Sequence, residues 1–563
     1  MLNKLLSIAV LDDLAKMSED VFMFKKLTED SRELKWIPKR QWSSEQIVHV
    51  SLTPELLDYV LETDFHAKVL RQIIKLVSKN ETERATDFLI RHLETSDGEV
   101  KILAANALKN RSLLDCQKLK IEKFISKNIT KTQKDYVYVI MDLLSNSSVS
   151  IEARENVWSK FKKQSFLNQT ILVHNSDLFL KETSLTDFLE KMTLSRHPEI
   201  RETAVRKLVS LDGWDVQNSD TARRLKNDDD VFVSAIATGV PLDSHVINCR
   251  LTEDIVKGII YCSAIGDAIG APIEFLSREK IIEKYKTPVD TFDFYRDDLE
   301  LRTDPGSISD DTDMGLRILE ASLDSGWIDP SQIGVHFSSV IGDIDSGDMP
   351  NIGYSANTSA GLRKIGRGAN WRLVGRPLTK GCGAAMRAFA IPILCDEPFD
   401  DVVTKDVSRI THNSLETLDS SLVIVKVIRW LSKLDRDSFD NESFLTVLRG
   451  ISLRSEEMKK GLSNFYEALD MDLDDGLAKI GTGGNAVEAV PAALLCFFKY
   501  PTDFKSLLRS AINVTGDSDS IACIAGGLFG AYNGYDSIDK HYIDNLKNKA
   551  RIESIINRLT ING

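Results

Sequence analysis

The chain has 563 residues, enough for two to four domains, and its 42% hydrophobic content excludes wholesale disorder. A formal net charge of −13 disfavours non-specific attachment to nucleic acid or anionic membrane, while leaving room for a local basic groove. The seven cysteines are odd in number, widely spaced and free of any CxxC, which speaks against a disulfide framework or zinc ribbon and suits a reducing cytoplasm.

The opening stretch Met1–Leu11 has a short apolar run that meets Asp12-Asp13 without a small-residue cleavage site, so it reads as an amphipathic helix rather than a signal peptide. Residues 1–240 are poor in glycine and read as helix after helix. Thr86-Asp87-Phe88-Leu89 recurs as Thr186-Asp187-Phe188-Leu189. After each copy, Glu99-Val100-Lys101 matches Glu199-Ile200-Arg201, Ala104 matches Ala204, and Leu108 matches Leu208. Weaker copies start near Ser150-Ile151-Glu152 and Asp230-Val231-Phe232. Helix, turn and second helix with a small alanine is the pattern of a HEAT-like α-solenoid, predicted over 1–245; a generic helical bundle is the plain alternative. The boundary is placed at 240–252, where Gly239-Val240-Pro241 supplies turn chemistry.

Apolar periodicity predicts further helices at Val256–Ile269, Asp313–Leu323, Ser421–Leu434, Ala486–Phe498 and Ser518–Tyr532, so the second unit, 252–563, is also expected to be all-α. Two acidic clusters open helices in it: Ser309-Asp310-Asp311-Thr312 and Asp517-Ser518-Asp519-Ser520. Helix capping alone explains either cluster. Both together, converging, would make an oxygen-rich cage for Mg²⁺ or Mn²⁺, and neither has histidine or cysteine at zinc-ligand spacing. Glu274 sits between Ile273 and Phe275 after a helix-ending Pro272, an apolar setting that tunes a carboxylate for acid–base work; a surface glutamate is the alternative. The glycine turns Thr379–Arg387 and Gly481–Asn485 suit phosphate, or tight helix packing, without Walker A spacing. Cys382 has no paired base and is not read as a nucleophile.

Six segments occur in order: GDAIGAPIEF (266–275), SDDTDM (309–314), KGCGAAMR (380–387), Thr411-His412-Asn413, GTGGNAVEAVPAAL (481–494) and GDSDSIACIAGGLFGA (516–531). Together they resemble the ADP-ribosylglycohydrolase family over about 252–540. The resemblance implies an all-α catalytic domain with two Mg²⁺ (or Mn²⁺) held by Ser309, Asp310, Asp311, Asp517, Asp519 and Ser520. It places Glu274 near the scissile bond and Gly381, Cys382, Gly383 and Met386 at the ADP-ribose diphosphate; Gly483 and Gly484, in the second glycine turn, are expected to help hold it. Where some members carry a catalytic aspartate in an Asp-Ile/Val-Gly segment, this chain has Asn351 before Ile352-Gly353-Tyr354, with Asp348 three residues earlier as a reserve base. Asn351, Gly353, Tyr354 and His412 are expected to line the cleft, with a core or supporting position as the alternative for His412.

The implied activity is hydrolysis of the bond between ADP-ribose and an acceptor on a modified protein or small molecule; the N-terminal repeats, outside the resemblance, are expected to recruit the protein target. The rival is a non-catalytic ADP-ribose-sensing scaffold. Deleting residues 1–245 is expected to spare small substrates and weaken action on the protein target.

Overall fold

The computed structural model describes residues 23–27, 34–38, 67–95, 97–128, 136–160, 164–211, 219–286, 288–293, 304–346 and 349–562. The predicted Met1–Leu11 helix lies outside them. The first described element departs from the all-helical expectation. Met23–Leu27 and Leu34–Pro38 form an antiparallel hairpin, Met23 opposite Pro38 and Leu27 opposite Leu34. Phe24, Trp36 and Ile37 are strand-favouring types, a local preference that overrides the helical reading of the flanks. Every other regular element among the described residues is helical.

Helix starts follow sequence chemistry closely. Thr82, Asp97, Ser150, Ser165, Ser219 and Asp230 each accept a backbone N–H of the first turn through their side chains. The repeated tetrapeptide falls in the first helix of two pairs, Glu83–His92 with Gly98–Leu108 and Glu182–Met192 with Pro198–Val209. Leu89 and Leu189 are buried, as are Ala104 with Ala204 and Leu108 with Leu208, so both copies put the same residues inside.

In the C-terminal half two helices form the centre, Glu253–Gly270 and Ser518–Asn533. The stretch from Glu253 to Ile273 is long and apolar enough to cross a membrane, but 89% of its 18-residue apolar window is buried inside the protein, the signature of a core helix. Small residues let these two helices touch backbone to backbone: a Cβ on Gly266 would overlap the Ala522 carbonyl, and one on Gly270 would come within 2.7 Å of the Asp519 Cα. Asp310–Ser325, Leu415–Leu431, Ala486–Lys499 and Phe504–Ile512 surround the pair. The Leu415–Leu431 helix starts six residues before the predicted Ser421, because Ser414 caps it by accepting the Thr417 N–H.

The two halves are joined by a buried polar network. Glu202, fully buried, accepts from the Asn370 side chain (3.0 Å) and the Trp371 indole (3.1 Å). Arg206 forks onto Asp329 at 2.8 and 2.9 Å, and Arg372 onto Asp230 at 2.9 Å through both terminal nitrogens. Bidentate arginine–carboxylate pairs of this kind fix orientation as well as attraction.

Candidate functional site

Both acidic clusters reach one place. The closely packed helix pair sets Asp267, one residue from Gly266, against the first turn of the Ser518–Asn533 helix, and the Asp310–Ser325 helix adds its own first turn. Carboxylate oxygens of Asp267, Asp311 and Asp519 lie within 4.8 Å of one another, and so do those of Glu274, Asp517 and Asp519. Asp519 belongs to both groups. Asp310 joins through its charge, which acts on Glu274, Asp267 and Asp517. Gly353, at a positive φ of 123°, leaves the room its carboxylate occupies, since a Cβ there would overlap Asp310 Oδ1.

Charge is the dominant fact here. Among the described residues, none of Asp267, Asp310, Asp311, Asp517 and Asp519 forms an ion pair with Lys or Arg. Burial pushes the carboxyls of Asp310, Asp311 and Asp519 well above the usual carboxylate range, and the neighbouring carboxylates add to it. Burial also raises Asp267 to about 6, although its oxygens accept the Ser309 N–H (3.0 and 3.1 Å) and the Thr312 N–H (3.1 Å). Asp313 behaves differently. Burial would raise it, but Arg317 and Arg551, with the Tyr354 hydroxyl, outweigh that and hold it below the normal value. An acid held by two arginines stands one turn from acids that, among the described residues, have no ion pair with Lys or Arg.

The donor set fits a hard divalent cation. It is all oxygen, one oxygen of Asp311 (Oδ2) is buried with no hydrogen-bond partner, and the crowded carboxylates require positive charge. Ser520 donates its hydroxyl to Asp311 Oδ1 at 3.2 Å, and Ser309 caps its helix by accepting the Asp311 N–H at 3.3 Å. Both predicted hydroxyls therefore stand at the cluster. Sequence reasoning missed Asp267 as a member. The available signal was a lone aspartate in an otherwise apolar stretch, Ile265 to Ile269, which no surface role explains.

The two glycine turns meet. Cys382 N–H donates to the Gly484 carbonyl at 3.0 Å, and Ala486 N–H to the Lys380 carbonyl at 2.8 Å. Cys382 N–H is thus committed, as is Gly483 N–H, which donates to Glu488 at 2.9 Å; the pair of turns is a braced rim more than an open cradle of amides. Gly484 lies against Asp517, and Met386 packs beneath Ser520. Cys382 directs its thiol at Asp517 (3.0 Å) and Ser520 (3.3 Å). Burial, with the Asp517 and Asp311 charges, pushes that thiol well up, so it stays protonated and serves as a donor.

His412 is buried under the same rim, where a Cβ on Gly383 would collide with its ring. Arg387 donates to the Thr411 hydroxyl at 2.7 Å, which leaves that hydroxyl to donate to His412 Nδ1, also at 2.7 Å. The ring proton is therefore assigned to Nε2. Burial, then the Arg387 charge, lowers His412 to about 3, so it is neutral at physiological pH. Asn351 is folded onto its own turn, bonded to Gly353 N–H and the Tyr354 carbonyl. Tyr354 is buried with its hydroxyl on Asp313 at 2.7 Å and is not presented to the cleft. Asp348 lies outside the described residues.

Comparison with known proteins agrees with this geometry. The sequence profile of a family described as ADP-ribosylglycohydrolase matches residues 250–563. An uncharacterized protein of Archaeoglobus fulgidus is 26% identical over 309 residues, 54% of this chain and 96% of its own. ADP-ribosylarginine hydrolase Tri1 of Serratia proteamaculans is 25% identical over 54% of this chain and 79% of its own. ADP-ribosylhydrolase ARH3 of Bos taurus is 23% identical over 51% and 87%.

Proposed function

Starting from the fact that the chain belongs to the ADP-ribosylglycohydrolase family, we propose that it is a divalent-metal-dependent hydrolase that releases ADP-ribose from a modified protein by cutting the bond between the distal ribose and its acceptor. The observation that carries this reading is the convergence of two carboxylate groups on Asp519, Asp267 with Asp311 and Glu274 with Asp517. Asp267, Asp310, Asp311, Asp517 and Asp519 would hold two Mg²⁺ or Mn²⁺ ions, with the Ser309 and Ser520 hydroxyls beside them. Bound there, the ions supply positive charge that grips the ribose hydroxyls and orients a water.

The chain's own residues do the rest. Bond breaking develops positive charge at the anomeric carbon, which the surrounding carboxylates stabilise. Glu274, half-buried and grouped with Asp517 and Asp519, takes a proton from the water whose oxygen bonds to the anomeric carbon as the carbon–acceptor bond breaks, and that proton passes to the acceptor, which leaves with the bond's electron pair. The braced glycine turns and the neutral His412, with its Nε2–H, position the diphosphate end. The N-terminal helices, read as HEAT-like repeats over 1–245, recruit the target in the cytoplasm. The test is a panel of arginine-, serine- and otherwise-linked ADP-ribosyl proteins incubated with Mg²⁺ or with chelator, scoring free ADP-ribose. Release from at least one linkage, lost in chelator, is expected; tight ADP-ribose binding with no release from any linkage would favour a sensor instead.

A further inference from the structure

A cleft of about 1440 Å³ runs between the N-terminal helices and the C-terminal half. One wall is built from residues that include Tyr138, Lys160, Gln164 and Asn168, the other from the segment 355–381 with Thr411, His412 and Asn485. Gly381 on its lining is one residue from Cys382, whose thiol touches Asp517.

Its charge is opposite to that of the molecule. Six lysines and arginines line it, Lys160, Arg363, Lys364, Arg367, Arg376 and Lys380, and no Asp or Glu does, in a chain whose net charge is −13. Three of the six are engaged by other side chains: Arg363 forks onto Asp345 and Arg367 onto Asp142, both outside the lining, and Lys364 lies 5.7 Å from the ring of Tyr138 on the cleft wall. Lys160, Arg376 and Lys380 have no side-chain partner among the described residues. His412, only 7% exposed, borders the same cleft, and its Nε2 is likewise without a partner there. Three cations without an acidic partner and a buried neutral N–H donor line one cleft that no acid lines, a setting that favours a phosphate-bearing ligand. The volume exceeds the ~300–1,000 Å³ usual for small-molecule pockets, so a nucleotide fits with space left over.

We propose that the N-terminal helices complete the ligand site of the C-terminal half: Lys160 acts with Arg376, Lys380 and His412 to receive the phosphates of a nucleoside diphosphate. This rests on the ADP-ribosyl reading for the identity of the substrate, and it assigns a binding role to a part of the chain outside the family match. It also reverses the expectation that removing residues 1–245 spares small substrates. Truncation is a poor test, because it would strip Glu202 and Arg206 from buried Trp371 and Asp329.

The experiment uses the full chain and ADP as the probe, by titration calorimetry in chelator at low salt. Lys160→Glu and Arg376→Glu are expected to weaken ADP binding by about five- to twentyfold each, the lower range for a charge-assisted contact that stays partly hydrated. Adenosine, which lacks phosphate, should bind both variants as it binds wild type. Lys226→Glu, on an exposed position outside the cleft, makes the same change in net charge and should leave the ADP affinity unaltered. An unchanged ADP affinity in Lys160→Glu, or a loss matched by Lys226→Glu, would overturn the proposal; so would failure of wild type to bind ADP. Asp519→Ala separates the two readings: it should abolish ADP-ribose release yet keep ADP affinity within about twofold. If no linkage is ever cleaved but Lys160→Glu still weakens ADP, the cleft stands and the hydrolase reading falls.

Discussion

Replacing Asp311 by asparagine should make the protein more stable without metal and less responsive to it. Two ionised carboxylates 4.8 Å apart repel by about 3.5 kcal/mol at an effective dielectric of ~20. Asp267, Asp311 and Asp519 make three such pairs, all within that distance. Fully ionised, they would cost about 10 kcal/mol, comparable to the whole stability of a domain. Proton uptake relieves most of this, as the raised carboxyls show. A carboxyl raised by folding gives stability that is present at low pH and lost as pH rises, so the penalty grows from pH 6 to pH 8. Asparagine removes two of the three pairs and keeps the shape. In EDTA at pH 8 the variant is expected to melt roughly 2–8 °C above wild type, equivalent to about 1–2 kcal/mol. Wild type should gain about 2.7 kcal/mol, or roughly 5–11 °C, per site when Mg²⁺ or Mn²⁺ is present at a hundred times its dissociation constant. The variant should lose most of that gain. Differential scanning fluorimetry with EDTA, MgCl₂ and MnCl₂ reads both effects. A variant that is less stable than wild type in EDTA, yet keeps the full metal shift, would refute the argument.

Two further outcomes follow from packing and from buried charge. Gly266→Val places side-chain atoms on the Ala522 carbonyl, which is backbone and cannot swing aside; urea unfolding should show a loss of about 3 kcal/mol together with a weakened metal-induced shift, because Asp267 is the next residue. For His412, lowered on folding to about 3, the sign runs the other way: its stability is intact above the unfolded value of 6.5 and is lost as pH falls. Wild type should lose about 2 kcal/mol through this residue between pH 7 and pH 5, and His412→Gln should not. Identical pH slopes in the two proteins would contradict a buried neutral ring.

Much of the site could be read before the fold was seen, because its chemistry is local. Ser309-Asp310-Asp311 and Asp517-Ser518-Asp519-Ser520 advertise themselves as carboxylates at helix starts, and the glycine turns as sharp bends before helices. What stayed hidden depends on distance in space. Asp267 is a single acid on a helix, and only the approach of that helix to Ser518–Asn533 gives it neighbours. The two glycine turns read as separate candidates, since nothing in either shows that Cys382 will pair with Gly484. Tyr354 seemed a cleft residue by position, but the Asp313–Arg317–Arg551 group claims its hydroxyl. In the N-terminal half the recurrence of Thr86-Asp87-Phe88-Leu89 as Thr186-Asp187-Phe188-Leu189 was visible. The contact of that half with Asn370, Trp371 and Arg372 was not, because Glu202 and Asp230 look like any surface acids of a helical array.

Asp519 belongs to both carboxylate groups, so two bound cations would stand on either side of it. The most direct measurement is anomalous diffraction from crystals grown with Mn²⁺. It should show two peaks about 3.5–4 Å apart, the spacing of paired catalytic ions, one beside Asp267 and Asp311, the other beside Glu274 and Asp517, with Asp519 next to both. A density map with no peak at these carboxylates, from protein that releases ADP-ribose equally well in EDTA, would contradict it.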